Sequence, residues 1–209
     1  MQNDLLIQGL EALGLADRPG LEAGLRTYQK EIETWNERLG LVSLKDPSDL
    51  VVKHLLDSLA GWKTLQDFGF ASMADLGSGA GFPGIPLALA FPTAQTFLVE
   101  RMERRVAFLG TTLETLGRSD VTVLPQTFEE VKQKFDLVTF RAVFPLDAKL
   151  VKKLKRLLNP GGRIAAYKGR REVIDGELAS LGALANGVEV VPLKVPFLDE
   201  ERHLVILKG

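Results

Sequence analysis

The sequence predicts an α/β fold, a seven-stranded and mostly parallel sheet behind an N-terminal helical extension. Three observations predict it. From about residue 70 onward, strand-like runs alternate with helix-like runs. The first strand-like run, 70–76, ends in the glycine turn Asp75-Leu76-Gly77-Ser78-Gly79-Ala80-Gly81-Phe82-Pro83-Gly84, which opens into a helix-like segment, 85–91. Before about residue 65 the periodicity is helical throughout. The expected division is therefore a helical cap over 1–65 and an α/β domain over 66–209.

Each element has a local reason. Residues 3–15 read as a first helix, with Asn3 or Asp4 as cap and Leu5, Leu6, Leu10 and Leu13 along one side. Pro19 opens a longer helix in which Leu21, Leu25, Tyr28, Ile32, Trp35 and Leu39 recur at steps of three and four until Gly40 stops it. That stripe is a core face, with Trp35 as a base-stacking platform the alternative. Ser48 is placed to cap a third helix running to about Trp62. On it His54, Asp57 and Ser58 are neighbours at i, i+3 and i+4, either a hydrogen-bonded polar cluster or an acid/base pair. Their place just before the glycine turn suits an orienting role.

Further strands are expected over 96–99, 121–124, 135–140, 163–167, 188–195 and 203–207. Helices are expected around 106–116, 146–158 and 172–185. Alternation implies parallel pairing with right-handed crossovers. The last two strands are joined without a helix, which implies a hairpin and one antiparallel strand.

Composition narrows the function classes. The 209 residues carry a net charge of −1 and are 45% hydrophobic, enough for a real core and too neutral to coat naked nucleic acid. No apolar run approaches the ~18 residues of a membrane span. The start, Met1-Gln2-Asn3-Asp4, has no basic n-region, so a cytoplasmic location is expected. There is no cysteine and only 2 histidines, so no disulfide, thiolate nucleophile or Cys/His metal site is expected.

The glycine turn carries the chemistry. Glycines admit positive φ and let a ligand approach backbone, and amides at a helix start favour anionic groups. Two readings compete. Gly79-Ala80-Gly81-Phe82-Pro83-Gly84 spells the dinucleotide pattern G-x-G-x-x-G. Asp75-x-Gly77-x-Gly79-x-Gly81 spells the loop of S-adenosylmethionine (SAM) methyltransferases. In both, Glu100 at the end of the next strand is placed to grip a ribose diol. Seven strands ending in a hairpin fit the methyltransferase sheet better than a six-stranded dinucleotide domain.

Wider matches agree with the second reading. They are Trp35-Asn36, Asp46-Pro47, His54-Leu55-Leu56-Asp57-Ser58-Leu59, Asp75 through Pro86, Arg105-x-x-Phe108-Leu109, Phe135-Asp136 with Arg141-Ala142, Tyr167-Lys168-Gly169 and Glu201-Arg202-His203-Leu204. On these segments the chain resembles the RsmG family, also called GidB, whose members methylate a guanine N7 in bacterial small-subunit ribosomal RNA. The resemblance implies a Rossmann-like class I SAM-dependent methyltransferase fold, with SAM as cofactor and 16S rRNA, within the small subunit, as partner of a monomeric enzyme.

By position, the resemblance implies that Gly77, Gly79, Gly81, Phe82, Glu100, Phe128, Glu129 and Arg141 form the SAM site. Arg141 would have a positioning role in catalysis. His54, Lys168 and Arg202, with Lys152 and Lys153, would meet the RNA. The chain departs from the family pattern at Gly40-Leu41-Val42, Phe140, Glu100 and Thr127. Guanine N7 offers a lone pair and no proton, so direct transfer needs alignment and no general base. The chain accordingly has Phe140-Arg141-Ala142 where amine methylation commonly uses an Asn/Asp-Pro-Pro-Tyr loop. The absence of cysteine removes cytosine-C5 methylation through a thiolate. Lys149, Lys152, Lys153, Lys155 and Arg156 fall close together with no acid among them. With Arg101, Arg104, Arg105, Lys168, Arg170 and Arg171 they would make a phosphate-attracting surface, or simply a solvated charged face.

Overall fold

A computed structural model of the chain describes residues 4–141 and 144–209. Asn3, the alternative first cap, and Ala142 of the Arg141-Ala142 match lie outside the described residues.

Helix α1 (Leu5–Leu13) is capped by Asp4, whose carboxylate accepts from the amides of Leu6 and Ile7. Helix α2 (Leu21–Leu39) buries Leu21, Leu25, Tyr28 and Ile32 and stops at Gly40 in the left-handed conformation. Trp35 is only half-buried, packs against this core and carries Arg38 over its ring at 5.5 Å.

The third helical segment departs from expectation. It is wound as a π-helix over Leu50–Leu56 and continues α-helically over Asp57–Leu59, together α3. Ser48 does not cap it. The Ser48 amide and hydroxyl both donate to Asp46 Oδ1, at 2.8 and 2.5 Å, a local bond to a carboxylate only two residues away that competes with capping. A short helix α4 (Trp62–Gln66) follows, with Gly61 breaking it from α3.

The sheet comprises β1 (Ser72–Leu76), β2 (Gln95–Val99), β3 (Val121–Leu124), β4 (Phe135–Arg141), β5 (Leu158–Lys168), β6 (Glu189–Leu193) and β7 (Arg202–Lys208) in the order β3-β2-β1-β4-β5-β7-β6. All pairings are parallel except those of β7, which runs antiparallel to β5 and β6. Helices α5 (Gly84–Ala90), α6 (Glu103–Thr115), α7 (Ala148–Lys155) and α8 (Arg171–Leu181) complete the alternation. β5 starts five residues before the expected 163 and includes Asn159-Pro160-Gly161-Gly162, with a register shift opposite Phe135–Leu137. The Phe135-Asp136 match has a structural job there. Asp136 accepts from the Ala71 and Ser72 amides and from Asn159, tying the start of β1 to β4 and β5.

Two apolar clusters flank the sheet. One joins α1, α2 and α3 to α5, α6 and one sheet face, from Leu6 and Tyr28 to Leu98 and Leu204. The other holds the opposite face, with α7, α8 and Phe97, Phe135 and Phe140. The strand order reverses direction between β1 and β4, the place where an open α/β sheet leaves a crevice at its carboxyl edge. Gly77, Glu100, Arg141 and Lys168 sit at or just past those strand ends. The antiparallel β7 brings its start to the same edge, since His203 pairs with Lys168.

Candidate active site

The glycine turn is held from three sides. Gly77, Gly79 and Gly81 all have positive φ, at 67°, 60° and 103°. Gly81 has no room for a side chain, since a Cβ would lie 2.8 Å from the Tyr28 hydroxyl and 2.6 Å from Ile85. That hydroxyl donates to the Ala80 carbonyl at 2.7 Å, so α2 clamps the turn directly. Gly84 is a different case. Its amide donates to Asp75 Oδ2 at 3.0 Å, and a Cβ there would stand 2.4 Å from Leu98 Cδ2. Helix α5 can therefore lie directly against β1 and β2. Glu100, almost fully buried, closes the third side. Its two oxygens accept from the Gly79 and Met102 amides, each at 2.9 Å, and Arg105 stands 3.8 Å away.

Two cavities meet at Gly77. The smaller, about 400 Å³, is bounded by Glu100, Met102, Arg105, Thr127, Phe128 and Phe144 among others. Phe128 and Phe144 pack edge to face with centroids 5.3 Å apart and together form an apolar wall of this cavity, against which a purine ring can lie. Gly79 lines the larger cavity instead, and a Cβ there would meet nothing closer than 3.8 Å. Each Glu100 oxygen keeps acceptor capacity beyond its one amide. The residues thus fit an adenosine.

The larger cavity, about 570 Å³, is lined by the same glycine turn and by His54, Asp57, Phe82, Arg141, Lys168, Arg202 and His203 among others. Here His54, Asp57 and Ser58 meet on one guanidinium rather than only on one another. Arg141 Nη1 donates to Asp57 Oδ2 at 3.1 Å and reaches the Lys53 carbonyl at 3.3 Å and Ser58 Oγ at 3.4 Å. Its Nη2 lies 3.1 Å from His54 Nδ1. Phe82 lies under both, 4.9 Å from the guanidinium and 5.1 Å from the imidazole. Arg202 reaches the other Asp57 oxygen at 3.2 Å. Burial pushes the Asp57 carboxyl up, against the pull of the two guanidiniums. Burial, with Arg141 beside it, holds His54 down at about 4.

The residues expected to face RNA are placed unequally. Lys168 is in the cavity wall, and its ammonium is held by Glu177 and the Phe144 carbonyl. Arg202 is shared among Asp57, Glu200 and the Glu201 carbonyl. Lys153 is not in an acid-free run in space. It pairs with Glu129 at 3.1 Å, an acid supplied by the turn after β3. Lys152 is exposed on α7. Arg101 and Arg105 both line the smaller cavity, Arg101 at its exposed rim, whereas Arg104 is exposed away from it. Sequence reading missed the roles of Tyr28 and Phe144. The only signal for Tyr28 was a polar-tipped ring in an otherwise aliphatic stripe.

Comparison with known proteins identifies the family and the fold. The model of the GidB family, rRNA small subunit methyltransferase G, matches residues 21–205. The ribosomal RNA small subunit methyltransferase G of Treponema pallidum strain Nichols is 39% identical over 212 residues, covering 99% of this chain and 94% of that protein. The protein of the same name from Aromatoleum aromaticum is 40% identical over 209 residues, covering 97% of each. The structure of the O-methyltransferase from Bacillus cereus in complex with SAH aligns with a TM-score of 0.62, over 88% of this chain and 91% of that one. At 16% identity the last is a likeness of fold, the Rossmann-like sheet of class I methyltransferases.

Proposed function

Because the chain belongs to the GidB family of rRNA small subunit methyltransferases, we propose that it methylates N7 of a guanine in 16S rRNA of the small ribosomal subunit. The observation that carries this reading is the pair of cavities meeting at Gly77, one shaped for an adenosine and one lined by groups that bind a polar base. S-adenosylmethionine is the cofactor and supplies, when bound, a sulfonium methyl open to in-line attack. Gly77, Gly79, Gly81, Phe82, Glu100, Phe128, Glu129 and Arg141 are the residues that would hold it. Glu100 has acceptor capacity for ribose hydroxyls, and the apolar wall of Phe128 and Phe144 takes the ring.

The site's remaining work is alignment and exclusion of water. Guanine N7 brings its own lone pair, so no residue has to remove a proton. Arg141 acts as a positioning residue: it fixes the His54 ring and α3 against the glycine turn. Lys152, Lys153, Lys168 and Arg202 add positive charge toward RNA phosphates, with Lys153, Lys168 and Arg202 tempered by their acid partners. The reading extends to a cytoplasmic monomer with a helical cap over 1–65 and a methyltransferase domain over 66–209. No helix among the described residues is long and apolar enough to cross a membrane.

The test is transfer of labelled methyl from SAM to purified small subunits that lack the modification, followed by identification of the labelled base. Label in 7-methylguanine is expected. Label in any other base, or none, sinks the reading.

A further inference from the structure

The chain has 2 histidines, and both line the larger cavity. Each ring has one nitrogen whose partner dictates where the proton sits. His54 Nδ1 faces a guanidinium nitrogen of Arg141 at 3.1 Å. Guanidinium can only donate, so Nδ1 accepts and the proton is on Nε2. His203 Nδ1 faces the Gly169 carbonyl at 2.7 Å. A carbonyl can only accept, so Nδ1 carries the proton and the neutral ring keeps a lone pair on Nε2. Neither Nε2 has a partner among the described residues, and neither is sealed from solvent. The cavity therefore presents one imidazole donor and one imidazole acceptor.

Both rings are firmly placed. His54 rests on Phe82, and Arg141 is anchored by Asp57. His203 is buried at the start of β7, where pairing with Lys168 fixes its backbone. Burial keeps His54 neutral at pH 7, so it donates without adding a cation beside a base that becomes cationic on N7 methylation.

A splayed-out guanine offers O6 as acceptor beside N1–H as donor, whereas adenine offers the reverse pair. We propose that His54 Nε2–H reads guanine O6 and His203 Nε2 reads N1–H, so that the two opposite tautomers select guanine over adenine. The proposal rests on the guanine reading above and supplies its specificity device.

Two measurements test it. Long-range proton–nitrogen correlation spectra of the labelled protein at neutral pH report each tautomer without any turnover. His54 is expected with Nε2 protonated and Nδ1 bare, and His203 with the opposite pattern. Either ring in the other form overturns the proposal. The second measurement uses small subunits rebuilt with 2,6-diaminopurine in place of the methylated guanine alone, which puts a donor where O6 was. His54→Phe keeps a ring against Phe82 and removes the donor. It should lower kcat/KM on guanine by roughly 10- to 100-fold, the factor for one hydrogen bond in a dry site. It should lower the rate on diaminopurine far less, so the preference for guanine over diaminopurine should fall. His54→Gln, which restores an N–H, should recover part of the guanine rate. Equal loss on both bases overturns the proposal while leaving the guanine reading in place. A wild-type protein that labels no guanine overturns both.

Discussion

At the scale of single residues, two carboxylates on neighbouring strands, Asp136 on β4 and Asp75 on β1, shift in opposite directions. Asp136 is saturated by amides and an amide side chain, and the Asn159 and Ser72 contacts hold its carboxyl below the usual range. Asp75 is fully buried with one oxygen on the Gly84 amide and the other without a partner. Burial pushes it up to about 7, with the Gly84 amide working against the shift. Its folded pKa thus lies above the unfolded value of about 3.9. The native state then binds the extra proton between about pH 4 and 7, so this group's contribution is full below that window and is lost as pH rises through it. Asp75→Asn removes the titration. The difference in urea midpoint between variant and wild type should therefore shift in the variant's favour from pH 4 to 7. A difference that stays constant across the window would show that Asp75 titrates normally.

At the scale of elements, the decisive contact is α5 lying on β1 and β2 without a side chain between them. In an isolated helix, alanine is favoured over glycine by about 1 kcal/mol. Gly84 lies in that first turn, yet a Cβ there would stand 2.7 Å from Asp75 Oδ2 and 2.4 Å from Leu98 Cδ2. Overpacking of this kind costs about 1–3 kcal/mol, so it outweighs the propensity gain. Gly84→Ala should lower the urea midpoint and also weaken SAM binding, because α5 cannot move off the sheet without moving the glycine turn. A variant as stable as wild type and with full affinity would refute this account. The same reasoning explains why α2 matters to a site that lies beyond the sheet edge: Tyr28 reaches Ala80 across 52 residues of chain.

At the scale of the whole molecule, the helical segment and the sheet share apolar contacts. Leu25, Tyr28, Ile32 and Leu55 belong to the same cluster as Ala80, Ile85, Leu98 and Ala165. A core that crosses the 65/66 boundary predicts that 1–65 and 66–209 unfold together, in one calorimetric transition whose van't Hoff and calorimetric enthalpies agree. Two separable transitions would instead make the cap an independent unit.

Much of the fold was legible because its signals are local. Alternating periodicities, glycines at helix ends and the Asp75–Gly84 turn depend on neighbours within a few residues, and they placed seven strands and the Gly77 and Glu100 positions. The π-winding of 50–56 was not legible, since apolar residues at Leu50, Val51, Val52, Leu55 and Leu56 suit an α-helix equally well. Nor was the pairing of Lys153 with Glu129, whose backbones come from different elements. By itself the sequence determined the class of fold, the glycine loop proposed to hold the cofactor and the residue types at the carboxyl edge. Only the tertiary structure decided which polar atoms there are engaged and which are free. Arg141 meets Asp57 across 84 residues and His54 across 87, and so leaves His54 Nε2 as a donor into the cavity. Hydrogen bonds saturate, so whether a side chain can act on a substrate depends on partners that only the folded chain brings within about 3 Å.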